Sequence, residues 1–180
     1  MISKSSKIYV AGHKGMVGSA TIRKLKKEGY KNLIFKTSKD LDLRNQSLVD
    51  RFIIQNKPDL IINTAAFTNV EQAETQPGLA RIINAYAPKV MAEEAKKLDI
   101  ILIHLSTDYV FDGKNKIPYC ELDKPNPLNV YGKTKLEGEK YIKRSHDKYL
   151  IFRTGWVYSP KRGKNFYQTI SKLLKQKKKI

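Results

Sequence analysis

The chain has 180 residues, 41% of them hydrophobic, a formal net charge of +18 and one cysteine, Cys120. That length suits one domain with its own core. No apolar run reaches the roughly 18 residues of a membrane span, and one cysteine excludes an intramolecular disulfide and a cysteine-built metal site.

The charge comes from 28 Lys and 7 Arg spread along the whole chain, with little aromatic interleaving. It reads as a compositional bias rather than a nucleic-acid groove, and its field favours anionic small molecules. Residues 1–7 carry charge but no apolar stretch with a cleavage site, so no signal peptide is expected, and the cytoplasm is the expected location.

Lys7–Ala11 is a short apolar run rich in β-formers, read as a buried strand. It leads into Gly12-His13-Lys14-Gly15-Met16-Val17-Gly18, with glycines at a spacing of three. A helical pattern follows to Glu28, with Val17, Ile22 and Leu25 on its apolar side, and Gly29 stops it. A glycine turn between strand and helix lets the backbone approach a diphosphate, and the helix N-terminus offers free N–H groups.

Asn32–Phe35 is the second strand. No acid follows it until Asp40, whereas Lys36, Ser38 and Lys39 suit a ribose 2′-phosphate. NADPH is therefore the expected cofactor, with NADH as the alternative. A helix capped near Asn45 runs to Asn56 and ends at Lys57-Pro58. Asp59–Asn63 is the third strand. The small residues Thr64, Ala65 and Ala66 beyond it let a flat ligand lie against the backbone.

From Pro77 one long helix is expected to Leu98. Its Asn84 leaves two readings open: a buried amide satisfied by backbone, or the holder of a catalytic water. Ile100–Leu105 is the most apolar strand and is expected at the sheet centre. Its His104 is read as a packed core histidine in preference to a catalyst. Ser106-Thr107-Asp108-Tyr109 at the carboxyl end of this strand places hydroxyls where open parallel sheets bind ligands.

A proline-containing loop carries Glu121 and Asp123, which either cap the loop or line a substrate mouth. The helix after it opens with Tyr131 and Lys135, four residues apart. Such spacing puts both side chains on one helix face. An ammonium there favours phenolate and lets the phenol exchange a proton with an alcohol or ketone oxygen. Glu137, Glu139, Lys140 and Lys143 are expected to form the charged face of this helix. Tyr149–Thr154 is the fifth strand, and an amphipathic helix runs from Asn165 to Lys175.

The five strand–helix alternations predict an α/β fold, a doubly wound parallel sheet with helices on both faces and right-handed crossovers. One dinucleotide-binding domain is expected over residues 1–180, with an ordered core at 7–175.

Gly12-x-x-Gly15-x-x-Gly18, Asp42-Leu43, Asn63-Thr64-Ala65-Ala66, Ser106–Phe111 and Tyr131-x-x-x-Lys135 together resemble the extended short-chain dehydrogenase/reductase superfamily. Pro127–Lys135, Gly138-Glu139 and Phe152–Tyr158 narrow the resemblance to the dTDP-4-dehydrorhamnose reductase family. Ala11–Ala20 is also similar to GDP-L-fucose synthase. That enzyme's epimerising cysteine lies in the segment matching Thr107-Asp108, where this chain has Asp108, so reduction is expected without epimerisation.

The resemblance implies a catalytic Thr107, Tyr131 and Lys135. Tyr131 donates a proton to a sugar C4 carbonyl oxygen, Lys135 lowers its pKa and holds the nicotinamide ribose, and Thr107 bonds the same oxygen. It implies that Gly12, Gly15, Met16, Val17 and Gly18 meet the cofactor diphosphate, Asp42 and Leu43 the adenine, and Ala65, Ala66 and Thr68 the ribose and nicotinamide. Asp108, Tyr109 and Trp156 would face the sugar. The implied substrate is a nucleotide-diphosphate sugar of polysaccharide biosynthesis, with no nucleic acid, membrane or metal, and a homodimer as the assembly. A non-catalytic, NADP-binding regulatory relative is the alternative. The family continues beyond the position of Ile180, so a chain truncated in its substrate half is expected.

Overall fold

The computed structural model describes residues 2–161, 163 and 165–176. Strand β1 (Ile8–Ala11) is followed by helix α1 (Met16–Lys27), the short β2 (Leu33–Ile34) and α2 (Gln46–Asn56). Next come β3 (Leu60–Asn63), the short α3 (Val70–Thr75), α4 (Pro77–Arg81), a π-helical turn (Ile82–Tyr86) and α5 (Ala87–Lys97). The chain continues through β4 (Ile101–Thr107), a 3-10 turn (Asp108–Val110), α6 (Val130–Ser145), β5 (Tyr149–Thr154) and α7 (Phe166–Gln176).

The helix boundaries follow local chemistry. Asn45 caps α2 by accepting the Leu48 N–H at 3.1 Å, and Lys57 ends it in the left-handed region at φ 42°. Asn129 caps α6 by accepting the Gly132 N–H at 2.8 Å. Such caps satisfy donors that the helix itself leaves unpaired. The expected single helix from Pro77 is divided by the π turn. Helix α3 was not expected, although Asn69 three residues before Gln72 is a capping signal, and its side chain accepts the Gln72 N–H at 3.0 Å.

All strand pairs are parallel, in the order β2-β1-β3-β4-β5 among the described residues. The alternation of side chains sorts the core into two layers. Tyr9, Ala11, Ile61 and Leu102 pack on one face against Val49 and Ile53 of α2, Met91 and Ala95 of α5, and Ile142 of α6. Ile8, Val10, Leu60 and Ile62 pack on the other, against Ile22 and Leu25 of α1. Burying each large aliphatic side chain contributes about 1.5–3 kcal/mol.

Strand β3, not β4, holds the centre, which corrects the expectation from sequence. All four residues of β3 are buried. In β4 and β5, Ile101, Leu150 and Phe152 stay exposed, because only one face of this pair is covered by helices among the described residues. An apolar run records how hydrophobic a strand is, not which helices cover it.

The chain leaves β1 for β2 on one side and returns to β3 on the other. This reversal puts the carboxyl ends of β1, β3 and β4 beside one another, the position where doubly wound sheets take ligands.

Candidate active site

The turn after β1 is built for close approach. Gly12 has φ +76°, and a Cβ there would stand 2.6 Å from the Ala65 nitrogen, so a side chain would collide with the strand β3 exit. The Gly15 N–H donates to the Gly12 carbonyl at 2.9 Å. Gly15 then opens α1 without a side-chain cap. The N–H groups at Met16, Val17 and Gly18 lie at this uncapped end, whose positive dipole suits a diphosphate.

Around this turn, the His13 ring lies 4.9 Å from that of Phe35. That contact ties the glycine turn to the end of β2 and to the exposed Lys36, Ser38 and Lys39. Asp40 accepts from the Thr37 N–H and hydroxyl at 3.1 and 2.7 Å. Its carboxyl is held below the usual range first by these bonds, with Lys36 and Lys14 adding. Asp42 accepts from Arg44 Nε at 2.8 and 3.0 Å, and Leu43 is half-buried beside it.

Ala65, Ala66 and Thr68 line the exit of β3. Asn63 Oδ1 accepts the Ala65 N–H at 3.1 Å. Asn84, carried by the π turn, accepts the Phe67 N–H at 2.8 Å and donates to the Phe67 carbonyl at 3.1 Å and to Thr134 Oγ1 at 3.2 Å. Of its two open readings, the buried amide satisfied by backbone is the one these bonds describe. π turns recur where a helix must aim one side chain at a functional loop.

Thr107 ends β4, nearly fully buried. Its hydroxyl donates to Asp108 Oδ1 at 3.1 Å and accepts the Tyr109 N–H at 3.2 Å. Gly132 allows the first turn of α6 to press against the Tyr109 carbonyl, since any Cβ there would overlap that oxygen. The close packing brings the Tyr131 ring within 5.6 Å of the Tyr109 ring, edge to face, and puts the phenol before the Thr107 hydroxyl. Glu74 of the unexpected α3 accepts the Val130 N–H at 2.7 Å and fixes the same turn.

Burial raises the Tyr131 phenol above its ordinary range, while the bond to Thr107 pulls it down and Asp108 and Tyr109 raise it slightly. The expected lowering by Lys135 is not seen. The reason is geometric: the Lys135 amine is turned inward, donating to the Leu105 carbonyl at 2.7 Å and lying 3.1 Å from His104 Nε2. Lys135 is 1% exposed. Burial pushes its pKa down to about 8, against a smaller upward pull from Glu139.

Glu139 is a second correction. It is not on a solvated face but buried, accepting from Ser106 Oγ at 2.6 Å and from Arg153 at 3.0 and 2.7 Å. The one-turn spacing that carries Tyr131 to Lys135 carries Lys135 to Glu139, so all three lie on the inner face. Sequence reasoning also missed Asn63, Glu74 and Arg153 as partners of the site. Of these, Asn63 gave a signal as a polar residue ending an apolar strand.

Asp108 and Tyr109 are exposed and line a cleft of 940 Å³ along β5 together with Asn129, Phe152 and Arg153. Glu121 lies on its rim, while Asp123 accepts the Cys120 N–H at 2.8 Å. Trp156 is placed elsewhere. It is 81% exposed, packs edge to face on Phe166 at 6.0 Å, and lines a separate apolar cleft with Tyr158, Ile170 and Leu174.

Residues 6–180 match the family model described as RmlD substrate binding domain. The dTDP-4-dehydrorhamnose reductase of Salmonella typhimurium is 41% identical over 172 residues, which cover 94% of this chain and 57% of the relative. The crystal structure of a dTDP-4-dehydrorhamnose reductase from Bacillus anthracis, in complex with NADP, superposes with a TM-score of 0.91 at 36% identity, covering 96% of this chain and 61% of that one. That of a Clostridium acetobutylicum dTDP-4-dehydrorhamnose reductase ortholog gives 0.89 at 41% identity, covering 94% and 60%. This chain therefore spans between 57% and 61% of the length of these relatives. No described helix is long and apolar enough to cross a membrane.

Proposed function

The chain belongs to the RmlD substrate binding domain family, and on that premise we propose that it supplies the cofactor-binding and proton-donating part of an NADPH-dependent reductase. The substrate class is a nucleotide-linked 4-keto deoxysugar of the dTDP-4-dehydrorhamnose type, and the setting is polysaccharide biosynthesis. The observation that carries this reading is the meeting of Thr107 and Tyr131 at the carboxyl end of β4, beside the uncapped glycine turn.

The cofactor would be held by that turn. A Cβ at Gly12 would fill the space beside Ala65, and the free N–H groups at Met16, Val17 and Gly18, opened by Gly15, suit a diphosphate. Lys36, Ser38 and Lys39 support NADPH over NADH. Asp42 and Leu43 would flank the adenine, and Ala65, Ala66 and Thr68 the nicotinamide side. When bound, the cofactor supplies the hydride. The chain's own part is the proton: the Tyr131 phenol donates to the alkoxide oxygen as it forms, and the Thr107 hydroxyl hydrogen-bonds that oxygen. The raised phenol pKa keeps Tyr131 protonated and ready to donate. Asp108 and Tyr109 are assigned to the sugar, and so is Trp156, although it lines a different cleft.

The exposed thiol of Cys120 supports a cytoplasmic setting. A homodimer belongs to the same proposal, supported by the exposed apolar side chains of β5 and α7, such as Phe152 and Leu174. The reading is tested by mixing the chain with NADPH and dTDP-4-dehydrorhamnose and following the loss of NADPH absorbance. Turnover above a Tyr131→Phe control is expected. Binding of NADPH without any turnover would favour a non-catalytic relative.

A further inference from the structure

Three side chains under the site form a buried chain whose proton positions are fixed by one backbone group. The Ala65 N–H can only donate, so the Asn63 atom 3.1 Å from it is the carbonyl oxygen. The Asn63 amide nitrogen therefore faces His104 Nδ1, at 3.1 Å. That nitrogen carries only hydrogens, so Nδ1 must accept. A neutral imidazole accepting at Nδ1 has its proton on Nε2, and Nε2 lies 3.1 Å from the Lys135 amine. An N–H facing an ammonium would be two donors in opposition. An N–H facing an amine lone pair is a hydrogen bond, and the amine still has a hydrogen for the Leu105 carbonyl at 2.7 Å.

We propose that His104 is a positioning residue that sets the charge of Lys135, its Nε2–H, pinned by Asn63, holding the Lys135 amine in the uncharged form. The sheet register makes this possible, because Asn63 and His104 are directly paired across β3 and β4 and α6 lays Lys135 over them. Both His104 and Lys135 are buried. Burial, the larger cause, keeps His104 well below its ordinary pKa and so neutral. Burial, against a smaller upward pull from Glu139, brings Lys135 down to about 8, and the Nε2–H acts in the same direction as burial. The charged group that acts on the amine is Glu139 on its own helix, whose negative charge is taken up by Arg153 of β5, while the Tyr131 phenol is neutral. Among the described residues, no other strand packed against it offers a counter-charge.

The inference rests on the reading of Lys135 as part of the reacting pair, and it changes what that residue does. The uncharged amine does not favour phenolate, so Tyr131 keeps its proton until Lys135 is charged. Charging requires acceptors to replace the Nε2–H, and ribose hydroxyls are such acceptors.

The test is long-range nitrogen NMR on the cofactor-free chain, labelled at histidine and lysine and titrated from about pH 6 to about pH 10. His104 is expected in the Nε2–H tautomer wherever Lys135 is uncharged. In His104→Gln the side-chain carbonyl is free to accept from an ammonium, so the Lys135 midpoint should rise by about one pH unit, the worth of one hydrogen bond exchanged. Asn63→Leu leaves His104 in place but frees its tautomer, and should move the midpoint the same way. A His104 imidazolium, an Nδ1–H tautomer throughout, or one midpoint shared by all three proteins overturns the proposal. The wild-type tautomer decides alone should a variant fail to fold. Neither cofactor nor sugar is present, so an absence of reductase activity would leave this outcome standing, and the reverse also holds.

Discussion

Asn84 holds both backbone polar groups of Phe67, accepting its N–H at 2.8 Å and donating to its carbonyl at 3.1 Å. The loop that follows β3 thus takes its shape from a helix seventeen residues later in the chain. Asn84→Leu removes both bonds and leaves the Phe67 peptide unpaired, a cost of about 1–3 kcal/mol. A lower urea midpoint at an unchanged slope is expected, together with weaker NADPH binding. Unchanged cofactor affinity would mean that this loop does not shape the site.

Arg153 and Glu139 form a pair in which the carboxylate is buried and the guanidinium half-buried. Removing the cation alone strands a carboxylate that only Ser106 still satisfies. Arg153→Met should therefore destabilise the fold by about 3 kcal/mol near neutral pH, since broken buried pairs cost more than intact ones contribute. Urea denaturation of the variant beside the native chain measures the loss.

Lys135 is a base whose pKa is depressed in the fold, from 10.5 to about 8. Between those values the unfolded chain binds more protons than the folded one, so this group makes stability rise with pH through that window. Below about 8 its full penalty is present. Lys135→Met lacks the penalty at every pH. The variant's stability relative to the native chain should therefore fall by on the order of 2 kcal/mol from about pH 8 to about pH 10. A gap that stays constant across that range would show Lys135 to be unperturbed.

Lys36 is exposed at the end of β2 and near enough to Asp40 to influence its carboxyl. If it meets a 2′-phosphate, Lys36→Glu should weaken NADPH binding about tenfold, equivalent to about 1.4 kcal/mol, and leave NADH nearly unchanged. Fluorescence titration with both cofactors reads the difference. Equal losses for the two would assign Lys36 to the general surface charge.

The strands, the glycine turn and the Tyr131–Lys135 pair were legible because each is local: an apolar run, a spacing of glycines, one turn of helix. The buried polar partners were not. Asn63 and His104 are 41 positions apart, His104 and Lys135 31, and Ser106 and Glu139 33. Nothing near any of these residues announces its partner. Glu139 was misplaced for the same reason: a carboxylate in a charged run looks solvated until β5 delivers Arg153. His104 was rightly placed in the core, but its bonds at both ring nitrogens could not be read from the strand around it. The position of β4 in the sheet was equally hidden, since it depends on which helices lie over it.

The proton-donating role of Tyr131 is the centre of the account, and Tyr131→Phe tests it most directly. The ring, its packing on Tyr109 and the glycine turn all remain, and only the hydroxyl is lost. NADPH should bind with nearly native affinity, while oxidation of NADPH by dTDP-4-dehydrorhamnose should fall by at least about a hundredfold. Native turnover in this variant would contradict the account.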